Sequence, residues 1–302
     1  FYPKNQKSRL FLRQKGSPII FGDYYRGDRK TIESQLLDNQ LFLSKGANSN
    51  VEQLKPVYLY FKEKLSIVPF LYNRNENQLT RLFASRLAKD KNSIFSRKFK
   101  KLICAFDTGI NDIHVEEVDP NKVKFPENVP LELRQEILNE FKFDIRTVHK
   151  SFDKGQFSGD IYFDIKDESV GTRSLFSIAG LILDTLEHGG ILIIDEFEKN
   201  LHPIITKFLI KLFHNTNVNN NKSQLIFATH DISQLDNDTF RRDQIWFTEK
   251  NEFGATELIS LSDIRGVRDT VPYDKWYESG RLGGTPIINE LDFILENEAS
   301  KN

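Results

Sequence analysis

Apolar residues between positions 175 and 186 recur at helical spacing: Leu175, Phe176, Ala179, Ile182, Leu183 and Leu186. At 3.6 residues per turn they line one face, which predicts an amphipathic helix. Gly189-Gly190 follows as its stop, because glycine takes the left-handed conformation that closes a helix. The run Ile191-Leu192-Ile193-Ile194 then predicts a short strand covered on both faces, as in a parallel sheet. Pro203 suits a helix first turn, and Ile204, Ile205, Phe208, Leu209, Leu212 and Phe213 make that helix amphipathic. Leu225-Ile226-Phe227-Ala228 is the next predicted strand. Strand, helix and strand in this order form a βαβ unit.

The N-terminal half carries weaker patterns. Ser8 to Gln14 and Ile19 to Gly22 flank Lys15-Gly16-Ser17-Pro18, which predicts a hairpin. Leu36 to Ser44 and Val57 to Val68 read as a helix-and-strand region. Across Gln78 to Phe106, Leu79, Leu82, Phe83, Leu87, Phe95, Phe99, Leu102, Ile103 and Phe106 keep helical spacing, which predicts a helical arm. Pro126 and Pro130 mark Lys122 to Pro130 as a connector. Leu131 to Ile145 mixes helix and strand signals, and Asp160 to Ile165 alternates as a strand does. Ile245 to Thr248 and Ala255 to Leu261 flank Asn251-Glu252-Phe253-Gly254 as a terminal hairpin.

Composition narrows the class. The 302 residues are 39% hydrophobic and 28% charged, with net charge −1. That balance is globular rather than disordered, and it provides no overall field to recruit nucleic acid or anionic lipid. No apolar run approaches the roughly 18 residues of a membrane span, and no signal-peptide pattern opens the chain. The single cysteine, Cys104, forbids an intrachain disulfide, and a reducing cytoplasm is the expected compartment. His114, His149, His188 and His214 show no metal spacing. The chain begins at Phe1 and contains no methionine, so a fragment, or a sequence with methionines lost, is expected.

Three short segments carry candidate chemistry. Ile191–Ile194 runs into Asp195-Glu196, the Walker B pattern. A strand holds both acids at the carboxyl edge of a sheet, where α/β proteins bind ligands. Asp195 would hold Mg²⁺, and Glu196 would act as general base on the attacking water. Thr229-His230-Asp231 follows the next strand and could reach a γ-phosphate, although an isolated loop histidine is usually only that. Ser169 and Thr172 can cap the helix that starts after Asp167-Glu168. Its free N–H groups favour phosphate, and Gly171 allows close approach; a plain cap is the alternative.

The order Glu168-Ser169-Val170-Gly171-Thr172, Ile193-Ile194-Asp195-Glu196, Leu201-His202-Pro203, Phe227-Ala228-Thr229-His230-Asp231 and Phe240-Arg241-Arg242-Asp243-Gln244-Ile245-Trp246-Phe247 resembles the C-terminal half of an ABC-type ATPase head. More closely than that, it resembles the bacterial AAA-type ATPases of phage-defence and abortive-infection loci, the relatives of OLD, Rlo and Septu. The similarity is strong over about residues 160–262.

The resemblance implies an α/β, ABC-ATPase-head-like P-loop NTPase fold with an N-terminal β lobe and a helical arm insertion. Residues 1–75 would be the remainder of the N-terminal lobe, 76–150 the arm and 151–302 the C-terminal lobe. By similarity, ATP and Mg²⁺ lie between two protomers of a homodimer or higher homo-oligomer. Ser169, Gly171 and Thr172 would form the signature that meets the opposite protomer's nucleotide, Asp195 and Glu196 would act in cis, and His230 would be the switch histidine. Leu201-His202-Pro203 would lie near the dimer seam. Val170 stands where the usual signature has a second glycine.

No Gly-x-x-x-x-Gly-Lys-Ser/Thr occurs in these residues. That phosphate-cradling loop is expected upstream of Phe1; a head that has lost ATPase function is the alternative. The implied role is antiphage defence through a separate effector, a nuclease or toxin, because the chain has no nuclease constellation of its own. A non-catalytic ABC-like scaffold or nucleic-acid-binding module is the rival. The basic stretch Arg81 to Lys101, with Arg86, Lys89, Lys91, Arg97, Lys98 and Lys100, could touch nucleic acid or be a solvated helix face.

Overall fold

The computed structural model describes residues 8–68, 73–126, 128–268 and 270–286. The chain divides into two compact units, one of residues 1–195 with 213–227, the other of residues 196–212 with 228–302.

The first unit opens with β1 (Phe11–Leu12) and β2 (Ile20–Phe21), the expected hairpin, followed by α1 (Arg29–Ser34), α2 (Phe42–Asn48) and α3 (Lys55–Lys64). Tyr25, Ile32, Phe42, Ala47, Val51 and Leu54 make a small core of their own here. The chain continues into β3 (Leu65–Val68), α4 (Asn73–Lys89), α5 (Ile94–Cys104) and β4 (Ile110–Glu117). Next come α6 (Leu131–Glu140), β5 (Phe143–Asp153), β6 (Gln156–Asp164), α7 (Val170–His188) and β7 (Ile191–Ile194). After α8 (Pro203–His214) the unit is completed by β8 (Gln224–Phe227).

Two sheets organise this unit. One is parallel, in the order β3-β7-β8, with Ile67, Ile193 and Ile226 in register. The other is an antiparallel meander, β4-β5-β6. The βαβ crossover from β7 through α8 to β8 is as the apolar pattern predicts. The burial of β7 is not. Its Leu192 and Ile194 are inaccessible, but on the other face of the sheet Ile67 is 61% exposed and Ile226 53%. Ile67 and Ile226 on the outer strands are thus exposed, whereas the apolar run predicts cover on both faces.

α4 and α5 pack on α7, and the apolar residues of Gln78 to Phe106 are their shared seam. Phe83, Phe95, Phe99 and Phe176 are buried and form a ladder. Ring centroids are 6.1 Å apart for Phe83–Phe95, 6.0 Å for Phe95–Phe99 and 4.7 Å for Phe99–Phe176. Gly180 of α7 lets α4 come close: a Cβ there would lie 2.3 Å from the Phe83 ring. α7 ends where expected, with Gly189 at φ 68°.

The second unit holds most of α8, the hairpin β9 (Trp246–Lys250) with β10 (Thr256–Ser260), and α9 (Tyr273–Glu278). Ile245, Phe247, Leu261, Val267, Tyr273 and Leu282 form its core. Gly280, Gly283 and Gly284, all with positive φ, turn the chain around the buried Leu282, so this glycine-rich stretch is a structural turn. Among the described residues no helix is long and apolar enough to cross a membrane.

Candidate functional site

Ser169, Gly171, Thr172 and Asp195 lie in the first unit. Glu196 and His230 lie in the second.

The start of α7 is a capped helix end. Ser169 sits at φ −58°, ψ 154°, and its Oγ accepts the Thr172 N–H at 3.1 Å. The Thr172 hydroxyl lies 2.9 Å from the same Oγ. Both hydroxyls are therefore committed to the cap. Among the described residues, the Val170 and Gly171 N–H groups have no hydrogen-bond partner. A helix end with open N–H groups and a partial positive charge suits an anion.

The residue just before this cap is held from the meander. Glu168 Oε1 accepts the Thr147 hydroxyl at 2.5 Å and lies 2.7 Å from His149 Nε2. Thr147 is fully buried and the Glu168 carboxylate largely so. In the sequence His149 shows no metal spacing. Its partner is a carboxylate 19 residues away, and the alternation of β5 was the only signal that it faces inward.

Asp195 follows β7 directly, and its N–H donates to Val68 O at 3.2 Å. The residue is exposed, and no hydrogen bond or ion pair engages its carboxylate among the described residues. Nor does any such contact join it to Ser169, Gly171 or Thr172. A free carboxylate at a strand tip is an oxygen donor of the kind Mg²⁺ takes. A second potential ligand group, Asp184, Glu187 and His188, has donor atoms within 4.8 Å of one another. Arg86 already pairs with both of those carboxylates.

In the second unit the acidic turn and the histidine loop are tied together. Glu196 adopts φ 50°, a left-handed conformation that costs a non-glycine residue roughly 1–2 kcal/mol. The turn around it fixes that backbone. Lys199 N–H donates to Glu196 O at 3.0 Å, and Leu201 N–H to Glu198 O at 2.8 Å. Phe197, fully buried, donates its N–H to Ala228 O at 3.1 Å. One residue on, Glu198 Oε1 accepts the His230 N–H at 2.8 Å. These two bonds bring Glu196 and His230 into one local structure. The Glu196 carboxylate, 31% exposed, has Lys199 Nζ at 3.8 Å.

Asp231 is structural. Its Oδ1 accepts the Ser233 N–H at 3.0 Å and hydroxyl at 2.6 Å, and its Oδ2 accepts Gln234 Nε2 at 2.7 Å. Burial acts to raise its carboxyl pKa, but these bonds and the His202 charge outweigh that and hold it below the usual range. Gln234 Nε2 also donates to Pro203 O at 3.2 Å, which fastens the histidine loop to the start of α8. Glu198 was missed from the sequence. Its only signal was a third acid between the Asp-Glu pair and Leu-His-Pro.

Three of the eight basic residues in this stretch, Arg81 to Lys101, form ion pairs. Arg86 pairs with Asp184 and Glu187, Lys91 with Glu116 and Lys100 with Asp112. The interleaved Phe95 and Phe99 are core.

A parallel βαβ unit with an acidic pair at the carboxyl end of its middle strand is consistent with a P-loop NTPase domain. Residues 3–236 match the family described as "AAA domain, putative AbiEii toxin, Type IV TA system", and the chain belongs to that family of AAA/ABC-type ATPases. Membership implies nucleotide use and points to ATPase activity. No curated protein matches the chain.

Proposed function

We propose that the chain is the ATP-hydrolysing head of an antiphage defence ATPase, in which ATP drives dimerisation and controls a separate effector. One observation carries the reading: the Phe197–Ala228 and Glu198–His230 bonds hold a candidate base and a candidate phosphate-sensing histidine in one local structure. Glu196 accepts a proton from the attacking water. Its left-handed backbone is the kind of local strain that is retained where geometry serves function. His230 reports the terminal phosphate. Bound Mg²⁺, held through Asp195, would neutralise phosphate charge. Ser169, Gly171 and Thr172 offer the Val170 and Gly171 N–H groups to the nucleotide of a second copy. The toxin–antitoxin description of the family supports a defence role that requires a partner protein.

The test is ATP turnover by the complete natural gene product beside its Glu196→Gln variant. Loss of a general base costs about 10²–10⁴-fold, and the variant should accumulate as an ATP-bound dimer. Equal turnover in the two proteins refutes the assignment. A non-catalytic scaffold is the second reading, favoured by the lack of a Walker A loop in these residues. It predicts neither turnover nor ATP binding by the complete protein.

A further inference from the structure

Glu198 moves no proton and meets no phosphate in the chemistry above, yet its carboxylate is tied to the histidine loop. Its Oε1 accepts the His230 N–H at 2.8 Å. Its Oε2 is buried and has no hydrogen-bond partner among the described residues. An unpaired buried oxygen is destabilising. A side chain serving only the fold would do better as an apolar group of similar size. The backbone on either side is already secured without the carboxylate, through Phe197 N–H to Ala228 O and Leu201 N–H to Glu198 O. What the carboxylate adds is a charge-assisted bond to the one amide that belongs to the histidine itself.

We infer that Glu198 is a positioning residue, whose carboxylate locks the His230 loop to the acidic turn so that Glu196 and His230 meet the substrate as one unit. The inference rests on the ATPase reading. Two groups acting on the same phosphate tolerate little relative movement; a misplacement of about 1 Å can cost about 10²-fold in rate. His230 is exposed, so its N–H, once released, finds water and folding is not at risk.

The experiment uses the complete natural protein and two variants, Glu198→Leu and Glu198→Gln. Leucine fills the space, removes the unpaired oxygen and removes the acceptor. Glutamine keeps an acceptor for the His230 N–H. For Glu198→Leu, kcat is expected to fall about 10- to 100-fold, with KM for ATP changed less than about threefold and the melting temperature maintained. For Glu198→Gln, kcat should stay within about threefold of wild type. A purely structural role predicts that kcat and melting temperature fall together in Glu198→Leu, and that outcome overturns the inference. So does unchanged kcat in Glu198→Leu, or equal loss in both variants. Amide hydrogen exchange at His230, read on the same proteins, is independent of turnover. Protection should be lost with leucine and kept with glutamine. If wild type does not hydrolyse ATP, the ATPase reading fails, and unchanged His230 protection in Glu198→Leu then also overturns the role of Glu198.

Discussion

Gly180→Ala is the sharpest test of how the start of α7 and the acidic strand are held. A Cβ at position 180 would lie 2.3 Å from both Cγ and Cδ2 of Phe83 and 2.8 Å from Cδ1, whereas carbon atoms pack best at about 3.5–4.0 Å. About 1.2 Å of movement is therefore needed. The ring cannot supply it by swinging away: Phe83 is buried and stacked on Phe95, which is itself followed by Phe99 and Phe176. Either α4 lifts from α7 or the ladder shifts. Overpacking of this kind costs about 1–3 kcal/mol, and alanine recovers up to about 1 kcal/mol of helix propensity. The net expectation is a loss of about 1–2 kcal/mol. In a unit of this size that lowers the melting temperature by roughly 2–8 °C. Phe83→Leu in the same background should recover part of the loss, because residues in contact couple by about 0.5–3 kcal/mol. Thermal denaturation of the four proteins measures both quantities. A Gly180→Ala variant as stable as wild type, or more so, would refute the close packing of α4 on α7.

Ser169→Ala removes the only side-chain cap of α7 and should cost about 1 kcal/mol, read as a lower denaturation midpoint; no change would mean that the cap is redundant. Burial raises the Asp236 carboxyl pKa, but bonds from Lys207, Thr239 and the Asp238 N–H outweigh this and lower it to about 2. Its folded pKa is thus depressed, so its contribution is complete above about pH 4 and is lost as pH falls towards 2. The stability gap between wild type and Lys207→Ala should therefore shrink across that window, and a pH-independent gap would refute the pairing. Arg86→Ala deletes two ion pairs and a guanidinium 3.7 Å above the Phe95 ring. Denaturant titration should find a loss of about 1–2 kcal/mol. Arg86→Lys should not restore it fully, because an ammonium lacks the planar stacking face.

Elements specified by local signals were legible in the sequence. The stripe of α7, its Gly189 stop, Pro203 opening α8 and both hairpins depend on residues a few positions apart. β4 was not assigned, because its alternation of Ile110, Ile113 and Val115 is broken by an irregularity between Ile110 and Asp112. Burial of the parallel sheet on both faces is what β7 alone predicts, but Ile67 and Ile226 of the strands beside it are exposed, which the run Ile191–Ile194 cannot report. The Asp195-Glu196 pair and His230 could be named from adjacency to apolar strands. Glu168 and Glu198 could not, since an acid looks the same whether it meets solvent or a partner. Their partners, His149 and His230, stand 19 and 32 residues away.

The exposed isoleucines bear on how the proposed ATP-driven dimerisation can be assayed. Ile67 and Ile226 lie in register on either side of Ile193, on the outer strands β3 and β8, which have no further strand partner among the described residues. An apolar face beside open strand edges invites association between copies. A preparation of these residues alone should therefore scatter light as oligomers before any nucleotide is added. Ile226→Lys places a charge on that face and should reduce this background, whereas association driven by ATP should survive the substitution.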